Sequence, residues 1–123
     1  HPAIVGDTIY GNGYARQVST GQTHPGWAWT KSHKCATLSA SGRCAFSRYE
    51  KTKLPFVFDL ETGTRQALTT VSRPGCWINT LPVGGLVLIP EASSGCTCGY
   101  SIQTSLALSS GPAEEVSWAS PGK

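Results

Sequence analysis

The sequence predicts an all-β fold built from repeated antiparallel units of about four short strands each. Fourteen Gly and eight Pro residues in a chain of 123 provide frequent turns. Short runs rich in β-branched and aromatic residues alternate with these turns, which is the usual pattern of strands. We find no segment with helical periodicity and helix caps.

The first unit is predicted to begin with a hairpin over residues 2–10, because β-branched residues flank the turn dipeptide Gly6-Asp7. A further strand is predicted over residues 14–22, ending at a Thr-Gly turn. Beyond it, Trp27 and Trp29 occupy alternate positions, so an extended backbone would place both rings on one face.

The second unit repeats this order. We predict a strand over residues 35–41, a turn at Gly42-Arg43 and a partner strand over residues 44–48. After a polar loop, a strand over residues 56–63 again ends in Thr-Gly. The second unit therefore has the same sequence of strands and turns as the first.

The third unit comprises predicted strands over residues 77–81, 86–89 and 104–108, with a turn at residues 83–85. The last strand lacks the Thr-Gly ending. Residues 109–123 have low apolar content and no periodicity, so we expect a tail or linker there. The predicted organisation is a β domain over residues 1–108 followed by this C-terminal segment.

The spacing of the units indicates a β-propeller. The turn glycines Gly6, Gly42 and Gly84 are separated by 36 and 42 residues, and propeller blades have periods of about 40 residues. The chain would then hold about three blades, whereas propellers close with ~4 to 8 blades. We therefore expect either a fragment of a longer protein or a subunit completed by other chains.

Several segments resemble one known family when taken together. In chain order they are HPAIVGDTIY, a strand ending in STG, CATLSAS, FDLETG, RPGCWINTLPVGGLVLIPEASSGCTCGY and TSLAL. They are similar to the final blades of the pyrroloquinoline-quinone-like (PQQ-like, BamB-like, quinoprotein-type) β-propeller proteins of bacteria. The resemblance covers about residues 1–108. It implies four-stranded blades arranged around a channel and packed through aromatic and small side chains.

The resemblance does not extend to the quinone site. Family members that bind the quinone use two directly adjacent cysteines and a metal site of acidic and amide side chains. Here Thr97 separates Cys96 from Cys98, and no such acidic group stands out. No cofactor is therefore predicted.

Five cysteines in 123 residues are typical of an exported protein with one or two disulfides. Bridges between blades would stabilise the fold by ~2 to 4 kcal/mol. Cys44 lies among apolar residues and is interpreted as a small buried side chain. Free structural thiols and a thiolate metal site are the alternatives. The disulfide candidates are Cys35, Cys76, Cys96 and Cys98.

The sequence predicts no catalytic residue. There is no Gly-x-Ser-x-Gly motif, and His1, His24 and His33 have no evident carboxylate or nucleophile partner. Asp59 and Glu61 alternate along the chain, but they lie in the turn sequence of the repeat and are interpreted as turn residues.

Two residues in the distinctive segment 73–100 are candidate ligand contacts. Trp77 adjoins a cysteine, and Glu91 is the one acidic residue there. Packing between blades is the favoured interpretation of the tryptophans at 27, 29 and 77, with stacking on a sugar as the alternative. The four tryptophans that such stacking would use are Trp27, Trp29, Trp77 and Trp118.

A net charge of +3 is mild and gives no reason to expect nucleic-acid binding. No apolar run approaches the ~20 residues that a membrane span requires.

The predicted function is that of a non-catalytic propeller segment of an exported protein, periplasmic or extracellular. It would act as an interaction or scaffold module for other blades or other protein chains. The alternative is part of a quinoprotein-type oxidoreductase, or another metal or redox module, using the Cys-Thr-Cys loop.

Overall fold

A computed structural model describes residues 1–31, 36–48, 54–72, 74–91, 102 and 104–111. The described residues contain ten strands and no helix, which confirms the all-β prediction. None of them belongs to a helix with the length and apolar character that crossing a membrane requires. The strands are β1 (Ala3–Val5), β2 (Thr8–Gly11), β3 (Tyr14–Gln17), β4 (Ser39–Ser41), β5 (Cys44–Arg48), β6 (Pro55–Asp59), β7 (Arg65–Ala67), β8 (Leu81–Val83), β9 (Leu86–Ile89) and β10 (Leu106–Ser109).

The strands form three sheets in which neighbours in sequence pair antiparallel. Sheet 1 has the order β1-β2-β3, sheet 2 has β4-β5-β6-β7, and sheet 3 has β8-β9-β10. Only sheet 2 has the predicted four strands among the described residues. In sheet 1, an isolated bridge between Arg16 and Thr23 takes the position of a fourth strand.

The three sheets share one register. In each sheet the first residue of the second strand pairs with the last residue of both the first and the third strands. The shared position shifts by 36 residues from sheet 1 to sheet 2 and by 42 from sheet 2 to sheet 3. The paired sets are Thr8 with Val5 and Gln17, Cys44 with Ser41 and Asp59, and Leu86 with Val83 and Ser109.

A glycine with positive φ joins the first two strands of each sheet. The φ angles are 57° at Gly6, 54° at Gly42 and 58° at Gly84. Glycine adopts this conformation readily because it has no Cβ, whereas other residues pay a steric cost. These three turns were predicted from the sequence, and their spacing is therefore the spacing of the structural repeat.

The predicted strand at residues 77–81 was wrong, because β8 begins only at Leu81. The preceding residues bond to β4 and to the segment just before it instead of joining a ladder. The Asn79 Oδ1 atom accepts from the Thr37 N–H at 2.9 Å, and the Thr80 carbonyl accepts from the Ser39 hydroxyl at 2.8 Å. Side-chain bonds across the sheets have thus replaced backbone pairing at this position.

An apolar core lies between sheets 1 and 2. Tyr10 and Ala15 from sheet 1 pack with Phe58 from sheet 2. The Trp27 ring connects the sheets, with its centroid 5.1 Å from that of Tyr10 and 5.0 Å from that of Phe58. Trp29 is buried in the same core. The packing role predicted for Trp27 and Trp29 is confirmed.

The interface between sheets 2 and 3 combines polar and apolar groups, since Phe46 and Ile89 are also buried. Asn79 and Thr80 are buried there, where Asn79 bonds to Thr37, just before β4, and Thr80 bonds to Ser39 of β4. The first strands of the three sheets lie side by side, since β4 contacts both β1 and β8. Sheet 2 is therefore the middle sheet of a series of three.

Candidate interaction surface

The outer face of sheet 3 is apolar and uncovered by the described residues. Residues paired across a ladder share a face, and residues two apart on a strand share it as well. The exposed fractions are 45% for Leu81, 57% for Val83 and 40% for Leu86. On the opposite face, Ile89 is fully buried. We call this side the sheet 3 apolar face, which comprises the exposed residues Leu81, Val83, Leu86 and Ala107 and the half-buried Leu88.

The outer face of sheet 1 is also apolar. Ile4 pairs with Ile9 and is 64% exposed, and the Tyr14 ring on the same face lies over Gly11. Arg16 lies on this face beside them. We call Ile4, Ile9 and Tyr14 the sheet 1 apolar face. The two ends of the three-sheet series thus expose side chains of the kind that fill the core between sheets 1 and 2.

The packing interpretation of Trp77 was wrong, because its side chain is 83% exposed. Its backbone is held in place through the carbonyl, which accepts a hydrogen bond from Thr37 Oγ1 at 3.3 Å. The indole therefore remains in solvent while the main chain is anchored to Thr37, just before β4. An exposed indole leaves Trp77 available as the ligand contact suggested by the sequence.

The other candidates are only partly described. Glu91 is exposed, and its backbone N–H donates to Ser105 Oγ at 3.0 Å. Cys76 is half-buried. The remaining disulfide candidates Cys35, Cys96 and Cys98, together with His33 and Trp118, lie outside the described residues. The proposed bridges therefore stay a prediction.

Cys44 begins β5 and carries a free thiol that is half-buried. Burial raises the pKa of this thiol, because desolvation disfavours the thiolate. The nearby carboxylate of Asp59 acts in the same direction. Cys44 was predicted to be a small buried side chain, and the structure places it half-buried at the start of β5.

Asp59 organises the outer corner of sheet 2. Its Oδ2 atom pairs with Arg43 Nη2 at 2.9 Å, and its Oδ1 atom accepts from the N–H groups of Glu61 at 2.9 Å and Thr62 at 3.0 Å. These hydrogen bonds, that from Arg43 first, lower the pKa of Asp59 to about 2. Arg43 also pairs with Glu61 at 3.0 Å. The turn role predicted for Asp59 and Glu61 is confirmed.

Sheet 1 has a corresponding corner with different chemistry. The shared register places Asp7 where sheet 2 has Arg43, and Ser19 where sheet 2 has Glu61. Asp7 Oδ1 accepts from the Ser19 N–H at 3.1 Å. In sheet 2 the turn residue that contacts the third strand and its following turn is the cation Arg43, whereas in sheet 1 it is the anion Asp7. The sequence alone did not suggest this correspondence.

A small aromatic cleft opens between sheets 1 and 2. Its volume is about 120 Å³, and Tyr10, His24, Trp27 and Phe58 contribute to its walls. The His24 ring lies 5.9 Å from the Tyr10 ring in an edge-on arrangement. The Trp27 Nε1–H donates to the Gly11 carbonyl at 2.7 Å, so this indole supports the wall instead of presenting a donor. Sequence analysis had not grouped these residues.

Among the described residues, no group of three or more His, Cys, Asp or Glu side chains is placed to hold a metal ion. The Cys-Thr-Cys loop of the redox alternative lies outside them. In comparisons with known proteins, the chain matches no protein-family model, no curated protein and no solved structure.

Proposed function

We propose that the chain forms consecutive blades of an exported bacterial β-propeller of the PQQ-like type and serves as a non-catalytic interaction module. The observation that carries this proposal is the shared register of three successive antiparallel sheets whose first strands lie side by side. In a propeller the first strands of successive blades surround the central channel.

The interaction role follows from the two exposed apolar faces at the ends of the series. Monomeric proteins rarely leave large contiguous apolar patches in water, and such patches mark contact sites. Leu81, Val83 and Leu86 at one end and Ile4 at the other are all exposed. The partners of these faces are other blades of the propeller or other protein chains.

Export to the periplasm or the extracellular space is part of the proposal. Its support is the number of cysteines, since an oxidising compartment favours disulfides. The exposed indole of Trp77, a predicted ligand contact, is available to a partner.

Electron microscopy of the native polypeptide tests the architecture. We expect a ring of radial sheets around a central channel, and a stack of sheets with no channel would contradict the propeller.

Metal analysis combined with an absorption spectrum tests the non-catalytic role. A stoichiometric metal or a quinone band would favour the redox alternative at Cys96-Thr97-Cys98 instead.

A further inference from the structure

Both interfaces between sheets follow one rule about which faces meet. The second strand of sheet 1 directs Tyr10 towards sheet 2, where Ala45 receives it in the common core. In sheet 2, Phe46 shares its face with its ladder partner Ser39, whose hydroxyl bonds to the Thr80 carbonyl at the border of sheet 3. By register Tyr10 and Phe46 are equivalent positions, so each sheet presents the same kind of face to the sheet that follows it.

The two exposed faces lie at the ends of the series, and neither packs against another sheet among the described residues. Leu88 is the equivalent of Tyr10 and Phe46, so the sheet 3 apolar face is of the kind that meets a following sheet. Ile9 is the equivalent of Ala45, so the sheet 1 apolar face is of the kind that receives a preceding sheet. Each exposed face is therefore suited to the other, although both cannot meet within one open series of three.

We propose that the sheet 3 apolar face of one copy packs on the sheet 1 apolar face of a second copy, and that two copies close one ring. This inference rests on the proposed propeller. Propellers close with ~4 to 8 blades, and the only multiple of three in that range is six. Two copies joined head to tail use each face once and leave neither exposed.

The chemistry of the two faces suits such a contact. Leu81, Val83 and Leu86 would meet Ile4 and Tyr14, which resembles the aliphatic and aromatic mixture of the core between sheets 1 and 2. Sheet 3 against sheet 3 would join two faces of the same kind, a combination that neither interface in the chain uses. The faces are mainly apolar and largely exposed, so their burial supplies a driving force.

The 123-residue chain tests the proposal through its mass in solution. Light scattering and native mass spectrometry should give twice the chain mass of 13.0 kDa. Ile4→Lys and Leu86→Glu should each raise the dimer dissociation constant by at least about tenfold, since each buries a charge in the contact. Val71→Glu is the matched control, because Val71 is comparably exposed but lies outside both faces. Circular dichroism of each variant verifies that it folds.

Mixing the two variants identifies which faces meet. In a head-to-tail pair of Ile4→Lys with Leu86→Glu, one interface is unchanged and the other places Lys opposite Glu, so the mixture should recover the dimer. A dimer that tolerates Ile4→Lys would be one of like faces and would overturn the inference. So would a wild-type chain that stays monomeric at all concentrations, even where microscopy of the native polypeptide shows a propeller ring. A dimer rescued by mixing but lacking radial sheets would instead refute the proposed function.

Discussion

The carboxylate of Asp59 binds a guanidinium through one oxygen and two backbone N–H groups through the other. Its pKa of about 2 lies below the ordinary range, so the native state favours the ionised form. The contribution to stability is complete above the unfolded-state pKa of about 4. It is lost as the pH falls towards 2.

Arg43→Ala should raise the pKa of Asp59, because the largest cause of its depression is the hydrogen bond from Arg43. The variant should therefore lose less stability than the wild type between pH 4 and pH 2. Carboxyl titration by NMR and urea unfolding across this range measure both effects. Arg16→Ala removes an exposed cation from sheet 1 and serves as control. An unchanged Asp59 titration in Arg43→Ala would contradict the assignment.

The thiol of Cys44 should alkylate slowly. Its pKa is raised by burial, so less thiolate is present at neutral pH than in an exposed cysteine. Iodoacetamide labelling at pH 7 followed by peptide mass mapping gives the rate at this one position. A rate equal to that of the same peptide after unfolding would show that the native environment does not protect Cys44.

At the scale of single elements, the turn between β4 and β5 requires a left-handed residue. Gly42→Ala should destabilise the protein by about 1 kcal/mol, since φ is 54° there and a side chain in this region is strained. No atom lies within 4 Å of a Cβ at Gly42, so the cost is one of backbone conformation. Gly111→Ala has similar space without positive φ and should be neutral in urea denaturation. Equal losses in the two variants would contradict this explanation.

The segment before β8 depends on one amide side chain. Asn79 is buried, accepts from the Thr37 N–H and donates to the Gly75 carbonyl. Asn79→Ala leaves these backbone groups without their partner and should cost about 1–3 kcal/mol in urea unfolding. Gln66→Ala on the exposed strand β7 is the control and should change stability little. A loss no larger than that of the control would mean that water replaces the amide.

Local chemistry accounts for what the sequence predicted well. The bounds of β5 and β9 agree with the predicted residues 44–48 and 86–89, because a turn with Gly precedes each strand and fixes its start. Strand β7 was not predicted, since its three residues are exposed and only pairing with β6 defines it. The exposure of Trp77 was likewise not foreseen, because aromatic character favours burial and the anchoring of its carbonyl to Thr37 is a tertiary contact.

At the scale of the whole molecule, the two interfaces differ in composition. Rings from both sheets fill the interface of sheets 1 and 2, whereas the interface of sheets 2 and 3 combines apolar side chains with buried amide, hydroxyl and carbonyl groups. Apolar burial contributes more net stability than exchanging water for protein hydrogen bonds. Sheet 3 should therefore open before sheet 2.

Native-state hydrogen exchange measures this order. The amides of β9 should exchange through a lower-energy opening than those of β5, the equivalent strand of sheet 2. Working below the dimer dissociation constant keeps association from protecting sheet 3. Equal opening energies for the two strands would mean that all three sheets unfold as one cooperative unit.

The hydrogen bonds at Asn79 and Thr80 also have a mechanical consequence. Such bonds weaken steeply when their geometry is distorted, whereas contacts between aromatic rings tolerate small displacements. We therefore expect sheet 1 to tolerate small displacements against sheet 2 better than sheet 3 does. The hydrogen bonds between sheets 2 and 3 should accordingly be lost at smaller displacements than the aromatic contacts between sheets 1 and 2.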